Sequence, residues 1–212
     1  MFTMKRLLTL GAVIIFIVGV AALGIAASQP PVPTAWPTLQ SNITPSPATT
    51  DQLKALISHS YELTGNAART FDVSPFSSVF TDDPKVSLDT WQVETMAKAH
   101  AQGTGMLSYE LAFFSEWKHG AEQLEQLATR AKAEGRELTR DELQAVNNSS
   151  AVPAPRRTDP IFLPTITYNS FVVTGDQAEV IFNNQAQTLK YFCINTRDGW
   201  RIAGIRVLAT YV

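Results

Sequence analysis

Histidine, cysteine and acidic side chains are the residues of this sequence that could do chemistry, and they are few and scattered. The chain contains three histidines, His59, His100 and His119, and a single cysteine, Cys193. None of these residues has the short spacing to another that places two ligands on one metal ion. The sequence also lacks a serine–histidine–aspartate order and a glycine-rich phosphate loop. We therefore predict no metal site, no cofactor site and no catalytic residue from these motifs.

Cys193 lies in the apolar run YFCIN, which is typical of a small buried side chain. Nothing close in the sequence would stabilise its thiolate, so we predict a structural role. A single cysteine excludes an intrachain disulfide. The lack of a cysteine near the N-terminus also excludes a bacterial lipoprotein signal.

Three residues are the remaining candidates for an acid or a base. A buried Glu110 would be a candidate base with a raised pKa, but the alternating pattern around it predicts a solvent-facing side chain. Asp72 could face the mouth of a pocket, although aspartates in loops more often cap helices or form turns. His59 lies on a different face of its predicted helix from Tyr61, and we expect it to be exposed.

Three aromatic side chains, Tyr61, Trp91 and Tyr109, could line a cavity. Aromatic residues at such spacings more often belong to a filled core. The sequence leaves both interpretations open, and these three are its candidate cavity-lining residues.

The N-terminal segment is apolar enough to enter a membrane. Residues 7–27 carry no charge and follow Lys5 and Arg6. A helix of this length spans about 31 Å, close to the thickness of the hydrocarbon core, and the basic flank predicts a cytoplasmic N-terminus. We predict a signal anchor over residues 1–28, with a signal peptide cleaved after the small residues 26–28 as the alternative. Both place the body of the chain outside the cytoplasm.

Residues 29–48 are predicted to form a Pro/Thr-rich linker, because half of the twelve prolines of the chain lie there. Such a segment favours extended polyproline II structure and would hold a domain off the membrane. The net charge of the chain is −2, and Lys5 and Arg6 are the only charges before Asp51. The body is therefore weakly acidic and lacks the basic surface that nucleic-acid binding needs.

The folded domain is predicted to cover residues 49–212 and to open with two helices. The sequence TTDQ at 49–52 is typical of a capping box, and apolar residues follow at helical spacing as far as Phe71. Asp83-Pro84 is a favourable start for a second helix, which would end near Gln102 before two glycines.

The next segment, MLSYELAFFSEW (106–117), alternates between apolar and polar residues. Its odd positions from Leu107 to Phe113 are apolar, whereas Ser108 and Glu110 are polar. A period of two predicts a strand with one buried face.

A helical insertion is predicted over about 118–160. Alanines and Leu124 at helical spacing indicate a helix that starts at Gly120, and its many charges suggest a solvated face. The sequence TRDE at 139–142 is typical of a capping box for a short further helix.

The last part of the chain reads as an antiparallel meander. Strands are predicted at about 165–173, 178–183, 187–196 and 200–210. Asp198-Gly199 between the last two is a strong hairpin signal, because glycine adopts positive φ at little cost. Helices first and a meander last predict an α+β fold with helices on one face of a curved sheet.

The opening helix DQLKALISHSYEL and the ending YFCINTRDGWRIAGIRV resemble the nuclear transport factor 2-like superfamily. This α+β cone is shared with ketosteroid isomerases and polyketide cyclases. The resemblance covers about Thr49 to Val212, with the insertion at 118–160 atypical. It implies N-terminal helices on a curved, mostly antiparallel sheet, with Trp200 packing the sheet against the helices. Enzymes of this superfamily place an acid or base, often Asp or His, inside the cone.

Three functions fit this resemblance. The first is a non-catalytic, membrane-tethered extracytoplasmic interaction or assembly module with a protein partner or as a homodimer, without nucleic acid. The second is a domain that binds a small apolar molecule in a hollow cone, and the third is an isomerase- or cyclase-like enzyme. The enzyme requires an ionisable residue on the concave face, where the sequence predicts mainly apolar side chains. We expect a single-pass protein of the cell membrane, or secretion after signal cleavage.

Overall fold

The computed structural model describes residues 39, 44–83, 86, 88, 105–149 and 163–211. Their helices and strands confirm the predicted α+β class. The helices are α1 (Pro47–Thr70), α2 (Met106–Ala133) and α3 (Arg140–Ser149), and a 3₁₀ helix covers Ser74–Ser78. The strands are β1 (Thr167–Thr174), β2 (Gln177–Asn183), β3 (Gln187–Thr196) and β4 (Gly199–Thr210).

Several predicted features lie outside the described residues. They are the anchor at 1–28, most of the linker, nearly all of the second helix at 84–102 with Trp91 and His100, and the segment 150–162. Within the described ranges, no helix is both long and apolar enough to cross a membrane.

Helix α1 begins three residues earlier than its predicted capping box. The Ser46 hydroxyl accepts a hydrogen bond from the Thr49 backbone N–H at 3.1 Å, and Pro47 occupies the first turn. Ser46-Pro47 combines an N-cap with a pre-set φ, so Thr49 lies inside the helix and its prediction as N-cap was wrong. The helix ends at Phe71, which adopts a left-handed φ of 56°.

The prediction of a strand over 106–117 was wrong, because these residues form the first turns of α2. The predicted helix start at Gly120 falls inside the same 28-residue helix. Leu111 is 39% exposed and Glu110 only 3%, the reverse of the strand pattern. The buried positions instead recur every three or four residues, as a helix requires: Met106, Tyr109, Glu110, Phe114 and Trp117.

The four strands form a meander in the order β1-β2-β3-β4, with every neighbouring pair antiparallel. The predicted strands are confirmed to within two residues at each end. Gly175 and Gly199 adopt positive φ values of 62° and 101° in the turns that precede β2 and β4. The edge strand β4 also pairs with the segment after the 3₁₀ helix, because Ile202 N–H donates to the Val79 carbonyl at 2.7 Å.

The sheet has two different faces. On the inner face, alternating strand residues pack against α1, α2 and the 3₁₀ helix in the main core. Trp200 belongs to this core, as predicted. On the outer face, Phe192 and Ala203 form a separate small cluster with Val86. The inner-face core residues of β2, β3 and β4 are Ala178, Val180, Phe182, Leu189, Tyr191, Cys193, Trp200, Ile202 and Ile205.

Helices α2 and α3 pack together, and residues 118–149 are called the helical hairpin below. The predicted capping box of α3 is confirmed: Glu142 N–H donates to the Thr139 hydroxyl at 3.2 Å, and Thr139 N–H donates to the Glu142 carboxylate at 2.9 Å. Arg136 also donates two hydrogen bonds to Glu142. Hydrogen bonds from Arg136, and then from Thr139, lower the pKa of Glu142 to about 2.

Candidate functional site

Glu110 is a buried carboxyl group inside the domain. It lies on the second turn of α2, and the helix turns it toward the interior. Burial raises the pKa of Glu110 to about 8, because the charged form loses its hydration. The prediction that Glu110 faces solvent was therefore wrong. At neutral pH the carboxyl group is mostly protonated and can donate a hydrogen bond.

Tyr191 on β3 approaches Glu110 from the inner face of the sheet. Burial raises the pKa of Tyr191 well above its ordinary value, and charges on Tyr61 and Glu110 raise it further. Burial and the charge of Glu110 likewise raise the pKa of Tyr109, the neighbour of Glu110 on α2. Both phenols are therefore neutral at physiological pH.

Tyr61 on α1 is another buried polar residue, and its hydroxyl contacts the turn between β2 and β3. Its hydroxyl accepts a hydrogen bond from Asn184 Nδ2 at 3.0 Å. Burial raises the pKa of Tyr61 to about 12, although hydrogen bonds with Asn184 and Tyr191 lower it in part. Asn184 is fixed in turn, because its Oδ1 accepts a hydrogen bond from the Gln187 backbone N–H at 2.8 Å.

Gln187 at the start of β3 is fully buried. Its Nε2 donates a long hydrogen bond of 3.4 Å to the Thr210 hydroxyl. Its Oε1 is buried and has no hydrogen-bond partner within the described part of the chain. We call Glu110, Tyr191, Tyr61, Asn184 and Gln187 the interior polar cluster.

The interior polar cluster is surrounded by tightly packed aromatic rings. Phe182 contacts Tyr191 edge to face, with ring centroids 4.8 Å apart, and contacts Tyr61 in the same way at 6.5 Å. A carboxyl group with a pKa near neutrality in such surroundings has the property that a general acid or base needs. Chemistry would also need space for a substrate beside the carboxyl group.

The structure brings two of the three predicted cavity-lining residues into the core. Tyr61 is 2% exposed and Tyr109 is 5% exposed, and both belong to the main core cluster. Trp91 lies outside the described residues. Whether the three residues line a cavity stays a prediction.

The other candidates of the sequence are exposed or structural. His59 is exposed and pairs with Glu62 at 3.3 Å, as expected of a surface histidine. Asp72 accepts a hydrogen bond from the Ser74 N–H at 3.0 Å, the turn-forming role expected of a loop aspartate. Cys193 is buried as predicted, and burial raises the pKa of its thiol. Across the described ranges, no group of three or more potential ligands could hold a metal ion.

Two grooves lie on the helical hairpin. One, of about 470 Å³, lies between the C-terminal end of α2 and the connection at 135–138. The other, of about 390 Å³, lies along an exposed face of α2 beside Glu125. Both are open surface features and are remote in sequence from the interior polar cluster.

The interior polar cluster was only partly predictable. Glu110 could have been placed on a buried helix face by helical spacing, because Met106, Glu110, Phe113 and Trp117 lie three or four residues apart. Tyr191, Asn184 and Gln187 reach the cluster through the pairing of the strands, which leaves no local signal in the sequence.

Comparison with known proteins gives no further assignment. No protein family, no curated protein and no solved structure matches this chain. The resemblance to the nuclear transport factor 2-like superfamily therefore stays a prediction.

Proposed function

We propose that this chain is a membrane-tethered, extracytoplasmic interaction module that binds a protein partner through its surface. The observation that supports this best is the packing of the interior. The side chains between α1, α2 and the inner face of the sheet form one continuous buried cluster. A continuous hydrophobic core favours recognition at the surface over recognition of a molecule inside.

The helical hairpin is the surface that we expect to contact the partner. It presents the two grooves, and Leu143 on α3 is 40% exposed. Lys132, Arg136 and Glu137 line the first groove together with Ala128 and Leu138, so charges of both signs lie beside apolar side chains, as at the rim of a protein interface. A partner in the same membrane would meet this surface at high effective concentration, because the tether confines both proteins.

Photo-cross-linking in intact membranes tests this proposal. A photoreactive amino acid at Leu143 should give one discrete cross-linked product. The same amino acid at Asn195, exposed at the far end of β3, should give none. A ladder of products from both positions, or no product from either, would remove the support for the helical hairpin as the interface.

A second candidate function is favoured by the burial of Glu110. A protonated carboxyl group near Tyr191 could bind a small apolar molecule that carries one hydrogen-bond acceptor, or exchange a proton with it. This function needs space that opens beside Glu110. It predicts that a bound small molecule is lost in Glu110→Leu, which removes the donor, and retained in Glu125→Leu, at an exposed position of the same helix.

A further inference from the structure

The outer face of the sheet holds a residue of the Pro-rich segment. Leu39 is half-buried and packs against the cluster of Val86, Phe192 and Ala203, beside Ile194. This cluster lies on the opposite side of the sheet from the main core, because Phe192 alternates along β3 with Tyr191 and Cys193 of the inner face.

The path of the chain makes this contact informative. Leu39 lies on the outer face, whereas α1, whose N-cap is Ser46, packs on the inner face. Seven residues separate Leu39 from α1, and an extended chain of this length reaches about 25 Å, enough to pass around the sheet. The segment before α1 is therefore held at two points, by Leu39 and by the N-cap.

We propose that Leu39 fastens the tether to the outer face of the sheet, so that this face points toward the membrane and the helices point away. This inference rests on the membrane tether of the proposed function. With Leu39 fixed, only residues 29–38 connect the domain to the predicted anchor. Ten residues of polyproline II span about 31 Å, which limits the distance of the outer face from the bilayer.

The contact deepens the proposed function because it gives the domain an orientation. A tether fastened only at α1 would let either face of the sheet turn toward the lipid. A tether fastened at Leu39 leaves the side that carries α1 and α2 accessible to a partner.

Fluorescence quenching by the membrane tests the orientation in the full-length protein. One label is attached at Val172→Cys on the outer face and another, in a separate variant, at Thr129→Cys on an exposed part of α2. Cys193 is buried and does not compete for the label. In phosphatidylcholine vesicles with a headgroup-quenching lipid, we expect at least twofold stronger quenching at position 172 than at position 129.

Leu39→Ser should bring this ratio close to one, and Leu39→Ala should reduce it in part. The matched control is Leu208→Ser, because Leu208 is 47% exposed on β4 and does not belong to the outer-face cluster. Equal quenching at both labels in the parent protein, or an unchanged ratio in Leu39→Ser, would overturn the orientation.

A second measurement distinguishes failure of the Leu39 contact from failure of the membrane tether. Intact mass shows whether residues 1–28 are retained, and their loss would count against the tether. Hydrogen exchange of the amides of Leu39 and Thr44 reports on the Leu39 contact even in a released protein. If Leu39 holds this segment on the sheet, its amide hydrogens should exchange roughly tenfold faster in Leu39→Ser than in Leu208→Ser. Equal exchange rates would overturn the Leu39 contact.

Discussion

Asp82 caps helix α2 although it lies 26 residues before Ser108, the residue it binds. Its Oδ1 accepts a hydrogen bond from the Ser108 backbone N–H at 2.9 Å, and its Oδ2 accepts one from the Ser108 hydroxyl at 2.5 Å. Gly105, at the N-cap position, has no side chain to do this. A Cβ atom at Gly105 would overlap the backbone of Asp82. The N-terminus of α2 is therefore capped by a residue that is distant in the sequence.

Asp82→Ala should destabilise the domain by about 1–2 kcal/mol, the usual effect of losing an N-cap. Ser108→Ala, which removes only the hydroxyl partner, should have a smaller effect. Urea unfolding followed by circular dichroism measures both changes. The control is Asp51→Ala, since Asp51 is exposed and lies 3.8 Å from its ion-pair partner Lys54. Equal stability of Asp82→Ala and Asp51→Ala would contradict the cap.

The distant cap explains why the sequence predicted a strand at 106–117. A local N-cap signal before Met106 is absent because Asp82 supplies it from another part of the chain. The buried face of α2 also includes the polar residue Glu110. Polar and apolar residues therefore alternate along 107–110, as they would in a strand. The strands β1 to β4 were predictable because their alternation and their Gly turns are local features.

Glu110→Gln should remove a pH dependence of stability. The pKa of Glu110 rises from an ordinary value of 4.5 to about 8 in the folded protein. The folded state therefore binds more protons than the unfolded state between these values, so the free energy of unfolding falls as pH rises. The slope is about 1.4 kcal/mol per pH unit at most. Urea titrations from pH 4 to pH 9 measure it.

The glutamine variant should be more stable than the parent at pH 9 and should lack this slope. Glu125→Gln, at an exposed position of α2, should keep the parent's pH dependence. A parent protein whose stability does not change between pH 5 and pH 8 would show that the carboxyl group is solvated in the folded state.

Tyr61→Phe should destabilise the domain by about 1–3 kcal/mol, because Asn184 would keep a buried amide without its acceptor. Tyr168→Phe is the matched control. The Tyr168 hydroxyl donates a long hydrogen bond of 3.3 Å to the Lys54 carbonyl from a half-buried position. Thermal unfolding should show a clear drop in Tm for the first variant and a small change for the second. The reverse order would contradict the role given to Tyr61 and Asn184.

Gly199→Ala should weaken the closing hairpin by roughly 1 kcal/mol, because a residue with a Cβ atom rarely adopts its φ of 101°. Gly135→Ala tests the same strain in the connection of the helical hairpin, at a φ of 68°. We expect Gly199→Ala to lower the Tm of the whole domain, since β4 contributes side chains to the main core. A larger drop in Tm for Gly135→Ala than for Gly199→Ala would show that the helical hairpin contributes more to the stability of the domain than the closing hairpin does.

Native mass spectrometry of the full-length protein, extracted gently from its own membrane, tests the central claim most directly. The proposed function predicts a second protein at fixed stoichiometry, lost in Leu143→Asp on the helical hairpin. Leu163→Asp is the control, because Leu163 is 53% exposed outside the hairpin, and it should keep the partner. A monomer that carries a reproducible small mass, lost in Glu110→Leu, would contradict the interaction module and establish the interior polar cluster as the site.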